Sequence, residues 1–313
     1  MRIKIFTYLI SIGVVLLLVV SSAGYMLFHQ QGGDLAFTTS DFSPIAVEDA
    51  QAATAPVRLI LSPHYDDAVL SLGGLMASST TEITVATFFA GKPSVPTSTL
   101  WDRRSGFANS DQAVAARAVE NRNALTPLNV KVVNFEYPDH QYRDDESKKD
   151  YSMLINQQTQ DIEKLVADLE TQYPHRHIEV YGPASFGPLI THPDHHILHE
   201  AMVRVARKPH DSSVEFFFYE DFPYVREFIK SGRNDLQTFL ETKEQLQLHP
   251  VVVPFSRDRL DQKIATIKTY SSQIEVFGST DHIDLVQREI DFATHRCPAS
   301  IKADACEITY KVL

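Results

Sequence analysis

The chain has 313 residues, 43% hydrophobic and 22% charged, with 12 Gly, 16 Pro and 2 Cys. Fractions this close to the globular average exclude a disordered or collagen-like chain and a disulfide-built miniprotein, and the length allows one large α/β domain or two small ones. The net charge of −11 comes without any Lys/Arg cluster, so nothing offers the counterion release that a nucleic-acid backbone demands, and no nucleic-acid partner is expected.

Residues 5–28 carry no charged side chain and follow a positive flank at Arg2 and Lys4. About 20 apolar residues suffice to cross a bilayer with the positive end cytoplasmic. The stretch VVLLLVVSSAG also has the form of a secretory h-region followed by small residues. Residues 1–29 are therefore expected to be a signal peptide or a membrane anchor. Either one places the body outside the cytoplasm, on the periplasmic or extracellular side. A segment rich in small and polar residues, 30–56, reads as a linker, and 57–313 as the folded domain.

From residue 57 the pattern alternates. VRLILS (57–62), ITVATFFA (83–90), VKVVNFEY (130–137), HIEVYGP (177–183), VEFFFYE (214–220) and VVVPF (251–255) have the character of strands. Between them, 67–79, 107–125, 151–172 and 194–206 have helical periodicity. Such alternation predicts a mostly parallel, Rossmann-like α/β sheet with helices on both faces. Ligands of such sheets bind beyond the carboxyl ends of the strands. Residues 221–250 give no clear pattern. Cys297 and Cys306 are nine apart. In an exported protein they could close a small loop; the alternative is two unpaired thiols.

Two clusters stand at expected strand ends. The first, Ser62-Pro63-His64-Tyr65-Asp66-Asp67-Ala68, follows the first strand. His64 and Asp67 are three apart, so one tight turn brings an imidazole and a carboxylate together while Asp66 projects elsewhere. Such a turn can give two metal ligands and one free carboxylate. The plainer alternative is that Asp66 or Asp67 caps the next helix. The second cluster, Thr191-His192-Pro193-Asp194-His195-His196, follows the fourth strand, with Pro193 suited to a first helical position and Asp194 to a first turn. Together they offer two imidazoles and a carboxylate with one coordination position open, the donor set of a catalytic zinc site. His195 and His199 form an i, i+4 pair, but His196 stands where HEXXH requires Glu.

These residues resemble the PIG-L/LmbE family of zinc-dependent N-acetylglucosaminyl deacetylases, which carry an (A/P)-H-P-D-D-E turn after the first strand and an H-P-D-H turn later. The second motif matches in full; the first has Tyr65 for Pro and Ala68 for Glu, as in a bacterial PHxDDAVLS variant. Arg117-x-x-Glu120 before Leu128-Asn129-Val130 resembles the family's R-x-x-E helix, and Tyr137-Pro138-Asp139 its later P-D element. Lys263 and Ala265 followed by Tyr270-Ser271-Ser272-Gln273 resemble its late segment, one residue tighter. The resemblance spans about 57–273. It implies that His64, Asp67 and His195 ligate Zn2+ (or another divalent metal), that Asp66 is the general base, and that His192, oriented by Asp194, stabilises the oxyanion. Arg117 and Asp139 would hold the sugar. The activity implied is removal of N-acetyl groups from an amino sugar of an envelope glycan or glycoconjugate. Two alternatives stand beside it: an amidase of the same fold acting on another amide, and a carbohydrate-binding envelope protein without turnover.

Overall fold

The computed structural model describes residues 43–44, 55–144, 150–187, 190–233, 235–281 and 284–313. The expected signal or anchor segment, 1–29, lies outside them, as does most of the linker. Among the described residues no helix is long and apolar enough to cross a membrane.

Eight strands form one sheet: β1 (Ser43–Pro44), β2 (Val57–Ser62), β3 (Ile83–Thr87), β4 (Lys131–Asn134), β5 (Ile178–Pro183), β6 (Val214–Tyr219), β7 (Leu248–Phe255) and β8 (Ala305–Val312). Their spatial order is β1-β7-β8-β6-β5-β2-β3-β4. All pairings are parallel except those of β8, which runs antiparallel to both β6 and β7. The sheet is thus mostly parallel, as the alternation predicts, with one reversed strand. Every residue of β2, β3 and β5 is buried, which explains their unbroken apolar runs: strands covered on both faces have no solvent side to alternate with.

The helices are α1 (Asp67–Ser78), α2 (Leu100–Arg104), α3 (Ser110–Leu125), α4 (Ser152–Gln172), α5 (Pro193–Ala206), α6 (Tyr224–Lys230), α7 (Leu236–Glu244), α8 (Arg257–Ile267), α9 (Ser271–Asp281) and α10 (Leu285–His295). From β2 the chain steps outward to β3 and β4, then returns to β5 on the other side of β2. Right-handed crossovers in opposite directions place their helices on opposite faces. Accordingly α1 packs with α8, and α4 with α5. The reversal lies between β2 and β5, whose carboxyl ends carry the two clusters.

The third strand stops at Thr87 rather than at residue 90. Phe89 and Gly91 instead make isolated bridges with Glu136 and Pro138, turning the chain toward the cleft. A Cβ on Gly91 would lie 2.2 Å from the Glu136 carbonyl oxygen, so this approach requires glycine. Cys297 and Cys306 are joined in a disulfide, which ties the end of α10 to the start of β8.

Candidate active site

β2 ends at Ser62 and the chain turns at once into α1. Ser62 Oγ donates to the His64 carbonyl at 2.5 Å and accepts from the Ala68 N–H at 3.0 Å, which fixes the turn from inside. Asp67 Oδ2 accepts from the His64 N–H at 2.7 Å, so the two side chains face each other, His64 Nδ1 lying 3.2 Å from Asp67 Oδ2. Asp66 occupies the N-cap position of α1, but its side chain makes no capping hydrogen bond; it lines the adjacent cleft.

The second turn comes from β5. The Phe186 N–H donates to Thr191 Oγ1 at 2.8 Å, folding the loop back before the helix. His192 is the N-cap of α5, its Nδ1 accepting from the Asp194 N–H at 3.3 Å, and Pro193 fills the first helical position, where no N–H is needed. His195, buried one turn into the helix, points its Nε2 to within 3.2 Å of both His64 Nδ1 and Asp67 Oδ2.

Three donor atoms from two strand ends thus form a triangle with edges of 3.2 Å. Donors about 2.0–2.1 Å from a tetrahedral ion lie about 3.3–3.4 Å from one another. The triangle fits one face of such a site, and two nitrogens with one carboxylate oxygen suit a borderline divalent metal. Each imidazole is backed by a carboxylate. His195 Nδ1–H donates to Asp221 Oδ2 at 2.6 Å, and His64 Nε2–H to Asp194 Oδ2 at 3.1 Å. Carboxylates only accept, so both far nitrogens carry a proton, and a metal at the common point would take the near lone pairs in place of the protons that Asp67 otherwise accepts.

The electrostatics call for a cation there. Burial alone would lower the His195 pKa, but Asp221 and Asp67 outweigh it and raise it to about 10. Asp67, despite burial, is held well below the usual carboxylate range by His195 and His64. The neighbouring Asp66 differs: burial first, then the Asp67 charge, pushes it up to about 6 against His64 and Arg117. His192 is lowered to about 4, chiefly by burial, so at neutral pH its ring is uncharged. With Nδ1 accepting, it carries its proton on Nε2.

Residues 59–206 match the family model of PIG-L, described as GlcNAc-PI de-N-acetylase. This stretch is similar to the PIG-L domain. The matched stretch includes both turns of the triangle. Among solved structures, the A40926 pseudoaglycone deacetylase Dbv21 is 25% identical with a TM-score of 0.64, over 82% of this chain and 97% of that one. The teicoplanin deacetylase Orf2, in its zinc-inhibited form, is 24% identical with a TM-score of 0.63, again over 82% and 97%. The N,N'-diacetylchitobiose deacetylase from Pyrococcus horikoshii shares the fold at 15% identity and a TM-score of 0.52, over 83% of this chain and 84% of that one. Comparison with curated protein sequences finds no match.

The cleft extends past the matched stretch: Asp66, Arg117, Asp139, Tyr142, Tyr270 and Gln273 help to line it. Arg117 Nη1 lies 3.8 Å from Asp139 Oδ2. With its amide oxygen turned to the guanidinium, Gln273 accepts from Arg117 Nε and Nη2 at 2.8 and 3.0 Å. Glu120 accepts from the Ser272 N–H at 2.8 Å and from the Ser271 and Ser272 hydroxyls, while Tyr270 donates to Asn121. The R-x-x-E and Y-S-S-Q elements, some 150 residues apart, are therefore one interlocked wall.

One expectation about the site needs correcting. Asp194 does not orient His192 through its carboxylate, which lies 4.0 Å from Nδ1; its backbone N–H does that, and the carboxylate holds His64 instead. His140 also joins the site, with its ring 5.6 Å from that of His192 and its N–H on Asp194 Oδ2. His199 turns away, its ring nitrogens on the Pro183 carbonyl and the Glu244 carboxylate. Asp221 and Arg143 carried no motif. Asp221 could have been found from its place just beyond a strand's carboxyl end.

Proposed function

We propose that this protein is a metal-dependent N-deacetylase acting on N-acetylglucosamine-type amino sugars of an envelope glycan or glycoconjugate. The observation that carries the reading is the 3.2 Å triangle of His64, Asp67 and His195 at the β2/β5 switch point, flanked by an uncommitted carboxylate and a neutral imidazole. The PIG-L match and the deacetylase structures support amide hydrolysis on a sugar.

His64, Asp67 and His195 would hold the metal, with Zn2+ or another divalent ion compatible with the donors. When bound, the metal supplies Lewis acidity and a nucleophile at neutral pH. Asp66, with its pKa raised to about 6, takes the proton of the attacking water and returns it to the departing amine. His192 Nε2–H donates to the oxyanion as the carbonyl becomes tetrahedral. Arg117, held by Gln273, and Asp139 bind the sugar hydroxyls. The apolar run 5–28 and the Cys297–Cys306 disulfide support a location outside the cytoplasm, where disulfides persist.

The test is acetate release from N-acetylglucosamine-bearing glycans by metal-loaded wild type and Asp66→Asn. The variant is expected to retain its metal and lose about 10²- to 10⁴-fold in kcat, the usual worth of a positioned general base. Undiminished turnover would remove Asp66 from the reaction.

A further inference from the structure

Arg143 lies behind the triangle and touches none of its donor atoms. It follows the 3₁₀ turn His140–Tyr142, and its side chain is 4% exposed. Its guanidinium folds back so that Nη1 lies 2.6 Å from Asp194 Oδ1 and donates to the Pro138 carbonyl at 3.2 Å. Nη2 lies 3.1 Å from His140 Nδ1, and the guanidinium carbon sits 5.3 Å from the centre of the Phe89 ring. A buried guanidinium with this many partners is fixed in place. Its charge lies against the Asp194 carboxylate and its two terminal nitrogens meet separate partners, while Nε is buried without a hydrogen-bond partner.

The other oxygen of the same Asp194 carboxylate receives His64 Nε2–H at 3.1 Å and the His140 N–H at 2.9 Å. The carboxylate is therefore gripped on Oδ1 by Arg143 and presents Oδ2 to His64. Rotation of Asp194 would break both contacts at once. His64 is less buried than the other two donors, its side chain 17% exposed against 7% for Asp67 and 1% for His195. Its orientation depends on Asp194, and that of Asp194 on Arg143.

We propose that Arg143 is a positioning residue of the metal site: through Asp194 it fixes the His64 ring with Nδ1 turned to the common point. The inference rests on the metal-dependent reading above. Groups behind a metal ligand change affinity by about 10- to 100-fold when removed. Arg143 stands one bond further out, and as the only cation on Asp194 Oδ1 among the described residues it is expected to reach the lower part of that range.

The experiment uses the full chain, stripped by chelator and titrated with Zn2+ against a competing chelator and with Co2+ followed by its visible spectrum. Arg143→Lys keeps the charge and loses the fork; Arg143→Met loses both. Folding is checked for each by circular dichroism. The expected result is about 10-fold weaker binding for Arg143→Met with an altered Co2+ band, and a smaller loss for Arg143→Lys. Should Arg143→Met prove unfolded, Arg143→Lys alone decides, an unchanged metal affinity overturning the proposal. Raised KM with wild-type metal affinity in a folded variant would also overturn it, because Arg143 would then only brace the Asp139 turn. Absence of metal binding by wild type would instead overturn the underlying reading of the site.

Discussion

Two buried polar clusters flank α1, and they differ in what occupies their centre. At the helix N-terminus, His64, Asp67 and His195 turn three ligand atoms toward one point, each imidazole backed by a carboxylate on its far side. Further along the helix, Lys263 Nζ lies 2.5 Å from Glu289 and 2.7 Å from Glu307, all three side chains no more than 4% exposed. There the protein supplies its own cation. Glu307 also accepts the Gly74 and Leu75 N–H groups at 2.7 and 2.8 Å, just after the non-helical Leu72 breaks the helix ladder. A Cβ on Gly73 would sit 2.6 Å from Lys263 Cγ, so the lysine stem needs that glycine. One cluster is a closed ion network that joins α1, α8, α10 and β8; the other turns three ligand atoms toward one point, with no Lys or Arg among the described residues set between them. Buried charge by itself therefore does not mark a site. The convergence of the ligand atoms does.

Breaking the closed cluster should affect stability and leave the open one intact. Lys263→Met strands two buried carboxylates, one of which, Glu289, burial already pushes up to about 7. Removing one partner of a buried ion network costs about 3–5 kcal/mol, read as a lowered urea midpoint at unchanged slope. Metal affinity measured on the folded variant should match wild type. Loss of metal binding without loss of stability would erase the distinction between the two clusters.

A smaller effect sharpens it from the other side of the sheet. Glu244, a buried carboxylate, accepts from His199 at 3.0 Å and pairs with Lys243 at 2.5 Å. Burial opposes its ionisation, but these partners outweigh it and hold its pKa at about 2, below the ordinary 4.5. A depressed carboxylate pKa contributes stability above its unfolded value and loses it as pH falls through the folded value. Part of the acid sensitivity between about pH 4.5 and 2 should thus belong to Glu244. Glu244→Gln should flatten the stability profile in that window without changing metal binding at pH 7. An unchanged acid profile would mean that the pair is already broken in solution.

Much of this architecture was legible in the sequence because its causes are local. Five of the six predicted strands are largely buried in the sheet and so carry apolar runs, whereas the edge strand β4 is mostly exposed, and the helices on 67–78, 110–125, 152–172 and 193–206 follow their periodicity. β8 was not legible: ACEITYKV mixes polar and apolar residues, and only the distant β6 and β7 make it a strand. The helices within 221–250 are short, and their burial against Phe186 and β7 is a tertiary fact. The His64, Asp67 and His195 positions stood in recognisable turns. Asp221, Arg143 and the Arg117–Gln273 bond did not, because each gains its meaning from a partner between 26 and 156 residues away. Lys263 resembled a family position and belongs to the closed ion network instead of the cleft.

The central claim is that the triangle binds one divalent metal, and metal stoichiometry tests it most directly. Elemental analysis of the purified full chain, before and after reconstitution with Zn2+, would be set beside Asp67→Ala and His195→Ala. The account predicts close to one equivalent per chain in wild type and none in either variant, with all three folded. A folded wild type that takes up no metal, or an Asp67→Ala protein that keeps a full equivalent, would contradict it.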